Sequence, residues 1–237
     1  ENFKLTDLMD EDELLQEVKG MDIKLIQYLC GTETMSELLD YLCNPIPEDS
    51  SDQRRYKYPY IACEIICCEV TDIVRLICTN KALLKKMFLV LDVEGEKLDQ
   101  RLLGYFEKVF GVLFKQCREN IIDEINEQRI EIFRKFLRHI SNFSVMQVMK
   151  KLFLPRISCF LGEDMIQEMN DMRGHSESNA DSQCNWIQEE LALNMLVDLL
   201  VSSSRETATE RKISSHPSID IPIHITELML FIISQST

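Results

Sequence analysis

The chain has little of what a fold rich in β-strands needs. Among its 237 residues there are only 7 glycines and 6 prolines, whereas an all-β fold of this length needs many tight turns, which usually use Gly, Pro or Asn-Gly steps. Leu, Ile, Glu, Lys and Met dominate instead, and these residue types favour helices. A single domain of 237 residues can bury about three quarters of its unfolded surface, so its stability need not depend on disulfides or metals. We therefore expect an all-α fold.

Signals for secretion and for membrane insertion are missing as well. The N-terminal segment lacks the basic start and apolar run of a signal peptide, and no apolar run approaches the roughly 18 residues that a span requires. The nine cysteines are an odd number, form no CxxC pair and lie mostly in apolar stretches. We expect a soluble protein with reduced thiols, located in the cytoplasm or also in the nucleus, with no membrane partner. Because the chain begins at Glu1 rather than methionine, we also expect a fragment of a longer protein.

No catalytic motif is present. The sequence contains no GxSxG elbow, no HExxH pair, no GxxxxGK loop and no GxGxxG after a strand. Serine and cysteine are plentiful, but no histidine and acid are placed as their partners at a recognisable spacing. We expect no enzyme, no catalytic residue and no cofactor. The alternative is a helical enzyme without a sequence motif, which would have a pocket with convergent polar groups and perturbed titratable side chains.

Two clusters of potential metal ligands have a simpler interpretation. A calcium loop needs a glycine at its sixth position and a glutamate at its twelfth, and the acids at Asp7 and 10–13 lack that glycine. Cys63 and Cys67 are one helical turn apart, but a zinc site needs two more ligands and none is suitably placed. We interpret the acids as the start of a helix and the cysteines as core, and we expect no metal site.

The charge is strongly negative and unevenly spread. The formal net charge is −14, and residues 1–52 hold 14 acidic side chains against three basic ones. Such a chain is a poor general binder of nucleic acid, because the phosphates repel it. The acidic N-terminal part either faces a basic protein surface or is an ordinary solvated face.

Apolar residues recur at helical spacing along most of the chain, as at Met35, Leu38, Leu39 and Leu42. Asp10 is predicted to cap the first helix, with Glu13 completing a capping box. We expect one helical-repeat domain over 1–237, an α-solenoid of stacked antiparallel helix pairs of the HEAT or armadillo kind; a globular helical bundle is the alternative. Helices are predicted from Asp10, over 22–30, 34–43, from 58, over 72–78, 80–91, 98–117, 119–139, 143–153, 185–201 and 222–234, with polar loops or disordered inserts at 44–53, 170–184 and 202–220.

Two groups of residues are candidates for binding a protein partner. Cations and tyrosines lie together where a loop meets a helix, and Tyr and Arg are enriched at the hot spots of interfaces. The other interpretation is a helix start with long side chains that lie along the surface. The first group is Arg54, Arg55, Tyr56, Lys57 and Tyr58, and a second, acidic group is Asp10, Glu11 and Asp12.

Five stretches resemble the SAPS family, the Sit-four-associated proteins. They begin LTDLMDEDELL, RYKYPYIAC, LGYFEKVF, FLRHISNF and WIQEELAL and cover 5–29, 55–70, 103–114, 136–152 and 186–200, whereas the sequence departs from the family pattern from 201 onward.

The resemblance implies a function that periodicity cannot show. Family members are regulatory subunits of the type-6 protein phosphatase, a relative of the type-2A enzyme, and use a helical-repeat domain to bind its catalytic subunit. They help to select substrates or further scaffold subunits. The resemblance assigns no individual contact residues, so the two groups above rest on their chemistry. An armadillo-type adaptor for an unrelated partner is the alternative function.

Overall fold

The structure is a computed structural model that describes residues 4–93, 99–153, 194–201 and 220–235. Across these ranges the regular structure is helical throughout and contains no strand, so the predicted all-α fold is confirmed. No helix in the described ranges combines the length and the apolar character needed to cross a membrane. The chain divides into two compact units, Glu1–Gln128 and Arg129–Thr237.

The first unit is a succession of short helices followed by one long one. A π-helical turn, Gln53–Lys57, comes directly before the fifth helix, and a 3-10 turn, Phe88–Asp92, follows the seventh. The α-helices are α1 (Leu5–Met9), α2 (Leu14–Lys19), α3 (Ile23–Leu29), α4 (Thr32–Cys43), α5 (Tyr58–Cys67), α6 (Thr71–Thr79), α7 (Lys81–Met87) and α8 (Gln100–Glu127).

Contacts in this unit recur with an offset of three helices. Helix α2 packs on α5, α3 on α6, α4 on α7 and α5 on α8. Helices α5 and α8 run parallel, because Glu64 pairs with Lys108 at 2.9 Å and, further along both segments, Glu69 pairs with Lys115 at 3.1 Å. Parallel neighbours at a constant offset are the arrangement that stacked repeats produce. The first unit therefore stacks its helices, as the solenoid prediction expects, but the contacts repeat every three helices in place of the predicted pairs.

In the first unit, helix α8 supplies the largest share of the buried apolar side chains that the structure describes. Its apolar stripe includes Phe106, Phe110 and Phe114, which are all buried. The ring centroids of Phe106 and Phe110 are 5.9 Å apart, and those of Phe110 and Phe114 are 5.2 Å apart, both within the range of favourable aromatic pairs. This continuous aromatic row anchors the helices that pack on α8.

The break predicted near residue 118 is present as a kink. Cys117 has non-helical dihedrals, φ −132° and ψ 43°, and the helix continues beyond it to Glu127. The helix predicted over 119–139 is divided at Gln128, whose φ is −125°. The helix predicted over 80–91 ends as an α-helix at Met87 and tightens into the 3-10 turn.

The predicted cap at Asp10 is wrong. Asp10 is the C-terminal cap residue of α1, and Glu13, rather than Asp10, occupies the N-cap position of α2 without a side-chain cap bond. The physical reason is that the Asp10 carboxylate is engaged elsewhere, by Lys57 and Tyr58.

The second unit contains four described helices. Asn142 caps one of them by accepting from Ser144 N at 2.9 Å, and His224 Nδ1 lies 2.8 Å from the Ile140 carbonyl. The predicted insert at 170–184, positions 185–193 of the helix predicted over 185–201 and positions 202–219 of the last insert lie outside the described residues. The helices are α9 (Arg129–Arg138), α10 (Phe143–Phe153), α11 (194–201) and α12 (Asp220–Gln235).

Candidate docking surface

The cationic and aromatic residues lie on a π-helical turn. The turn spans Gln53–Lys57 and leads without a break into α5. Arg54 N donates to Ser51 Oγ at 3.3 Å, which anchors the start of the turn. A π-helical turn is wider than an α-helical one and is frequently found at functional sites. Sequence spacing carries no signal for it, so the sequence predicted a loop leading into an ordinary helix.

The structure brings the two predicted groups of residues together at Asp10. Lys57 Nζ lies 2.9 Å from Asp10 Oδ1 and also donates to the Asp10 carbonyl at 3.2 Å. The Tyr58 hydroxyl donates to Asp10 Oδ2 at 3.2 Å. The hydrogen bond from Lys57 holds the pKa of Asp10 below its ordinary value, with a further contribution from Tyr58. Burial and the bond to Asp10 raise the pKa of Tyr58. The contact joins α1 to the start of α5.

Arg54, in the same turn, is half-buried. Its Nη2 donates to the Asp40 carbonyl at 3.3 Å, and its guanidinium carbon lies 4.6 Å from the centroid of the Tyr41 ring. Tyr41 in turn meets Tyr58 edge to face, with centroids 5.3 Å apart. Burial lowers the pKa of Arg54. We interpret Arg54 as a residue that holds the turn in place, since its charge faces the protein.

The exposed side of the turn is aromatic and mixed in charge. Tyr56 is 51% exposed and Tyr60 46% exposed. The Arg101 guanidinium carbon of α8 lies 4.4 Å from the centroid of the Tyr56 ring. Arg55 Nη2 donates to the Glu48 carbonyl at 2.7 Å, so its side chain lies along the preceding loop. The Arg101 guanidinium also pairs with Asp99, at 2.5 Å from Nη2 to Oδ2. A partner that approached this side would meet two tyrosine rings, the Arg55 guanidinium and this ion pair.

The acidic members of the surface are Glu11 and Asp12, which are both exposed in the turn between α1 and α2. Within the described residues no ion pair involves either of them. We define the docking surface as the accessible set Glu11, Asp12, Arg55, Tyr56, Lys57, Tyr60 and Arg101. Tyr60 and Arg101 were missed by the sequence prediction. Tyr60 could have been found because it follows Tyr56 by one helical turn, whereas Arg101 comes close only through the packing of α8.

The structure describes seven of the cysteines, of which three are buried and four are half-buried. Cys43, Cys63 and Cys78 are buried, and burial raises the pKa of Cys43 to about 12. Cys63 Sγ lies 3.9 Å from Cys67 Sγ. In the described part of the chain, no group of three or more His, Cys, Asp or Glu side chains is arranged to hold a metal ion.

These features by themselves define a class of protein. The first unit is a stack of helices with a surface of tyrosine, arginine and carboxylate side chains, which is a chemistry suited to binding a protein. The class is that of helical-repeat binding proteins.

The comparisons with known proteins narrow this class. The chain is 29% identical over 200 residues to serine/threonine-protein phosphatase 6 regulatory subunit 2 from Mus musculus, covering 84% of this chain and 20% of that protein. It is 27% identical to regulatory subunit 3 from Gallus gallus, covering 87% of this chain and 21% of that protein. It is 30% identical to the extragenic suppressor of kinetochore protein 1 from Schizosaccharomyces pombe, covering 64% of this chain and 19% of that protein.

The resemblance to the SAPS family of phosphatase regulatory subunits is therefore confirmed along most of this chain. The chain spans about a fifth of the length of the curated relatives that it matches. No protein-family model matches the chain, and no solved structure matches it at a significant level.

Proposed function

We propose that this chain is part of a non-catalytic regulatory subunit that binds the catalytic subunit of a type-2A-like serine/threonine phosphatase and directs its substrate choice or localisation. The observation that carries the proposal is the similarity, over 84–87% of the chain, to proteins named as regulatory subunits of phosphatase 6. In this function the phosphoester chemistry belongs to the partner. The regulatory chain contributes binding energy, which raises the concentration of substrate near the catalytic site.

We propose that the docking surface makes the contact with the catalytic subunit. Its support is chemical: Tyr56 and Tyr60 offer large amphipathic rings at a low cost in side-chain entropy, and Arg55 offers a planar donor group for carboxylates. The Arg101 guanidinium is held by Asp99 and lies on the Tyr56 ring, so we expect it to support that ring. Lys57 and Asp10 neutralise each other at 2.9 Å, so we expect them to fix the shape of the surface more than to attract the partner.

We also propose a second partner for the complex and a location in the cell. A second scaffold subunit binds elsewhere on the complex, as the family resemblance implies. The complex resides in the cytoplasm or also in the nucleus, a location suited to a chain with an odd number of cysteines, of which Cys43, Cys63 and Cys78 are buried as thiols.

The test is a direct binding measurement with the purified phosphatase 6 catalytic subunit. The double variant Arg55→Ala/Tyr56→Ala is compared with the control Arg75→Ala/Phe143→Ala, which removes an exposed arginine and an exposed aromatic residue elsewhere. We expect the first variant to weaken binding by about tenfold or more, equivalent to at least about 1.4 kcal/mol, and the control to bind like the unchanged chain.

Three other outcomes separate the parts of the proposal. Equal affinities of the two variants would reject the docking surface and keep the regulatory function. Failure of the folded, unchanged chain to bind the catalytic subunit would reject phosphatase docking by this segment. Capture of an unrelated protein in place of the phosphatase would favour the adaptor alternative.

A further inference from the structure

A pocket of about 490 Å³ lies in the first unit, beyond the kink at Cys117. Its walls come from the end of α6, the start of α7 and the second half of α8, and none of its lining residues belongs to the docking surface. A volume of this size is typical of small-ligand sites. The polar side chains that line it include Thr79, Lys81, Asp123, Glu124, Asn126 and Glu127.

Glu124 is the unusual member of this lining. Its side chain is only 2% exposed. Its Oε1 atom accepts from Gln128 Nε2 at 3.2 Å, whereas among the described residues nothing donates to its Oε2 atom. Asn126 Oδ1 is a second buried acceptor that lacks a donor within the described residues. A buried acceptor without a donor costs about 1–3 kcal/mol, so the two atoms mark a place where hydrogen-bond donors are missing.

The nearby lysines do not supply these donors. Lys85 Nζ lies 3.8 Å from Glu124 Oε1 and 3.9 Å from Glu127 Oε2. At these distances the lysine attracts both carboxylates electrostatically, but the separations are too long for hydrogen bonds. Lys81 is bound to Glu127 at the rim. Among the described residues, the two buried acceptors of the pocket therefore remain without a hydrogen-bond donor, although both lysines are nearby.

We propose that this pocket binds a protonated amine or guanidinium group. Such a group carries several N–H donors and a positive charge, which match two unused acceptors in a lining that also contains Asp123 and Glu127. Both acceptor atoms are covered in this structure, so binding requires that the Glu124 carboxyl and the Asn126 amide both rotate toward the pocket. The group is either part of a free polyamine or the side chain of a lysine or arginine on a partner protein.

The electrostatics of Glu124 agree with this proposal. Burial raises the pKa of Glu124, against the opposing effect of Lys85. A bound cation stabilises the ionised carboxylate and lowers that pKa again, so binding releases protons and becomes tighter as the pH rises.

The experiment is an NMR titration of the whole 237-residue chain, followed at the backbone amides of α8. The probes are spermidine, for a free polyamine, and an N-acetylated, C-amidated Gly-Arg-Gly peptide, for a side chain. Tetramethylammonium, which has the charge but no N–H donor, is the control probe. We expect saturable shifts at residues 120–128 with spermidine or with the peptide, and whichever probe saturates identifies the source.

Variants make the proposal falsifiable. Glu124→Gln and Asn126→Ala should each weaken the binding, Glu124→Gln by about tenfold or more. Glu33→Gln, which removes an exposed charge on α4, should leave it unchanged. Absence of saturation with both probes, equal binding of tetramethylammonium, or unchanged affinity in a folded Glu124→Gln chain would each overturn the proposal.

Discussion

Asp10 acts as an acceptor that ties two distant segments of the chain together. Its partners Lys57 and Tyr58 are 47 and 48 residues away in sequence, at the start of α5. The pKa of Asp10 is lowered, chiefly by Lys57. A carboxyl group with a lowered pKa in the folded state stabilises the fold at neutral pH and loses that contribution as the pH falls through the lowered pKa.

We therefore predict that Lys57→Met raises the pKa of Asp10 toward its ordinary value, because methionine keeps much of the apolar stem and removes the donor. The measurement is a carboxyl-carbon NMR titration of Asp10 in the folded chain. Lys24→Met, which changes an exposed lysine elsewhere on the surface, is the control. An unchanged Asp10 pKa in the Lys57 variant would show that the contact does not persist in solution.

Glu124 has the opposite effect on the pH dependence of stability, since burial raises its pKa. A raised carboxyl pKa means that the folded state binds the proton more tightly than the unfolded state, so stability is lost as the pH rises through the folded pKa. We predict that Glu124→Gln stabilises the unliganded chain at neutral pH by about 1 kcal/mol, which corresponds to about 2–4 °C in Tm. The gain should shrink in acid, below the ordinary pKa of a glutamate. Thermal unfolding at several pH values checks this, and a lower Tm at neutral pH would contradict it.

Among the short helices, α7 depends on the N-cap residue that precedes it, Asn80. The Asn80 side chain accepts from Ala82 N at 3.0 Å and from Leu83 N at 3.4 Å. We predict that Asn80→Ala costs about 1 kcal/mol of unfolding free energy, whereas Asn80→Asp keeps the cap and loses little. Urea unfolding should show a lower midpoint with an unchanged slope. Asn120→Ala, at an exposed position within α8, is the matched control, and an equal loss in both alanine variants would contradict the capping role.

Helix α4 and the turn before α5 show what could be predicted from the sequence. The spacing of Met35, Leu38, Leu39 and Leu42 predicted α4, and all four side chains are buried, because local periodicity decides which face of a helix is apolar. The π-helical turn at Gln53–Lys57 could not be predicted, since it is associated with contacts to Asp10 and Asp40 that are distant in sequence. The sequence therefore indicated which residues could form the docking surface. It could not show that Arg54 is half-buried while Tyr56 is exposed, because that difference depends on the fold.

For the whole molecule, the division into two units bears directly on the proposed function. Every residue of the docking surface, and every contact described for it, lies between Glu1 and Gln128. The stacking of α2 on α5, α3 on α6, α4 on α7 and α5 on α8 is also complete within these residues. A unit with its own core and its own stacked helices has what independent folding requires.

We predict that a fragment of residues 1–128 folds on its own and binds the phosphatase 6 catalytic subunit with a Kd within about threefold of the 237-residue chain, a difference of less than about 0.7 kcal/mol. Residues 129–237 should not compete for that binding. Circular dichroism and a cooperative urea transition report the folding, and a competition assay with labelled 237-residue chain reports the binding. A folded 1–128 fragment that fails to compete would move the contact out of the first unit and away from Tyr56 and Arg55, even if the longer chain binds. A fragment that does not fold would show instead that the boundary at Gln128 does not separate independent units, and Arg55→Ala/Tyr56→Ala in the longer chain would then decide the location of the contact.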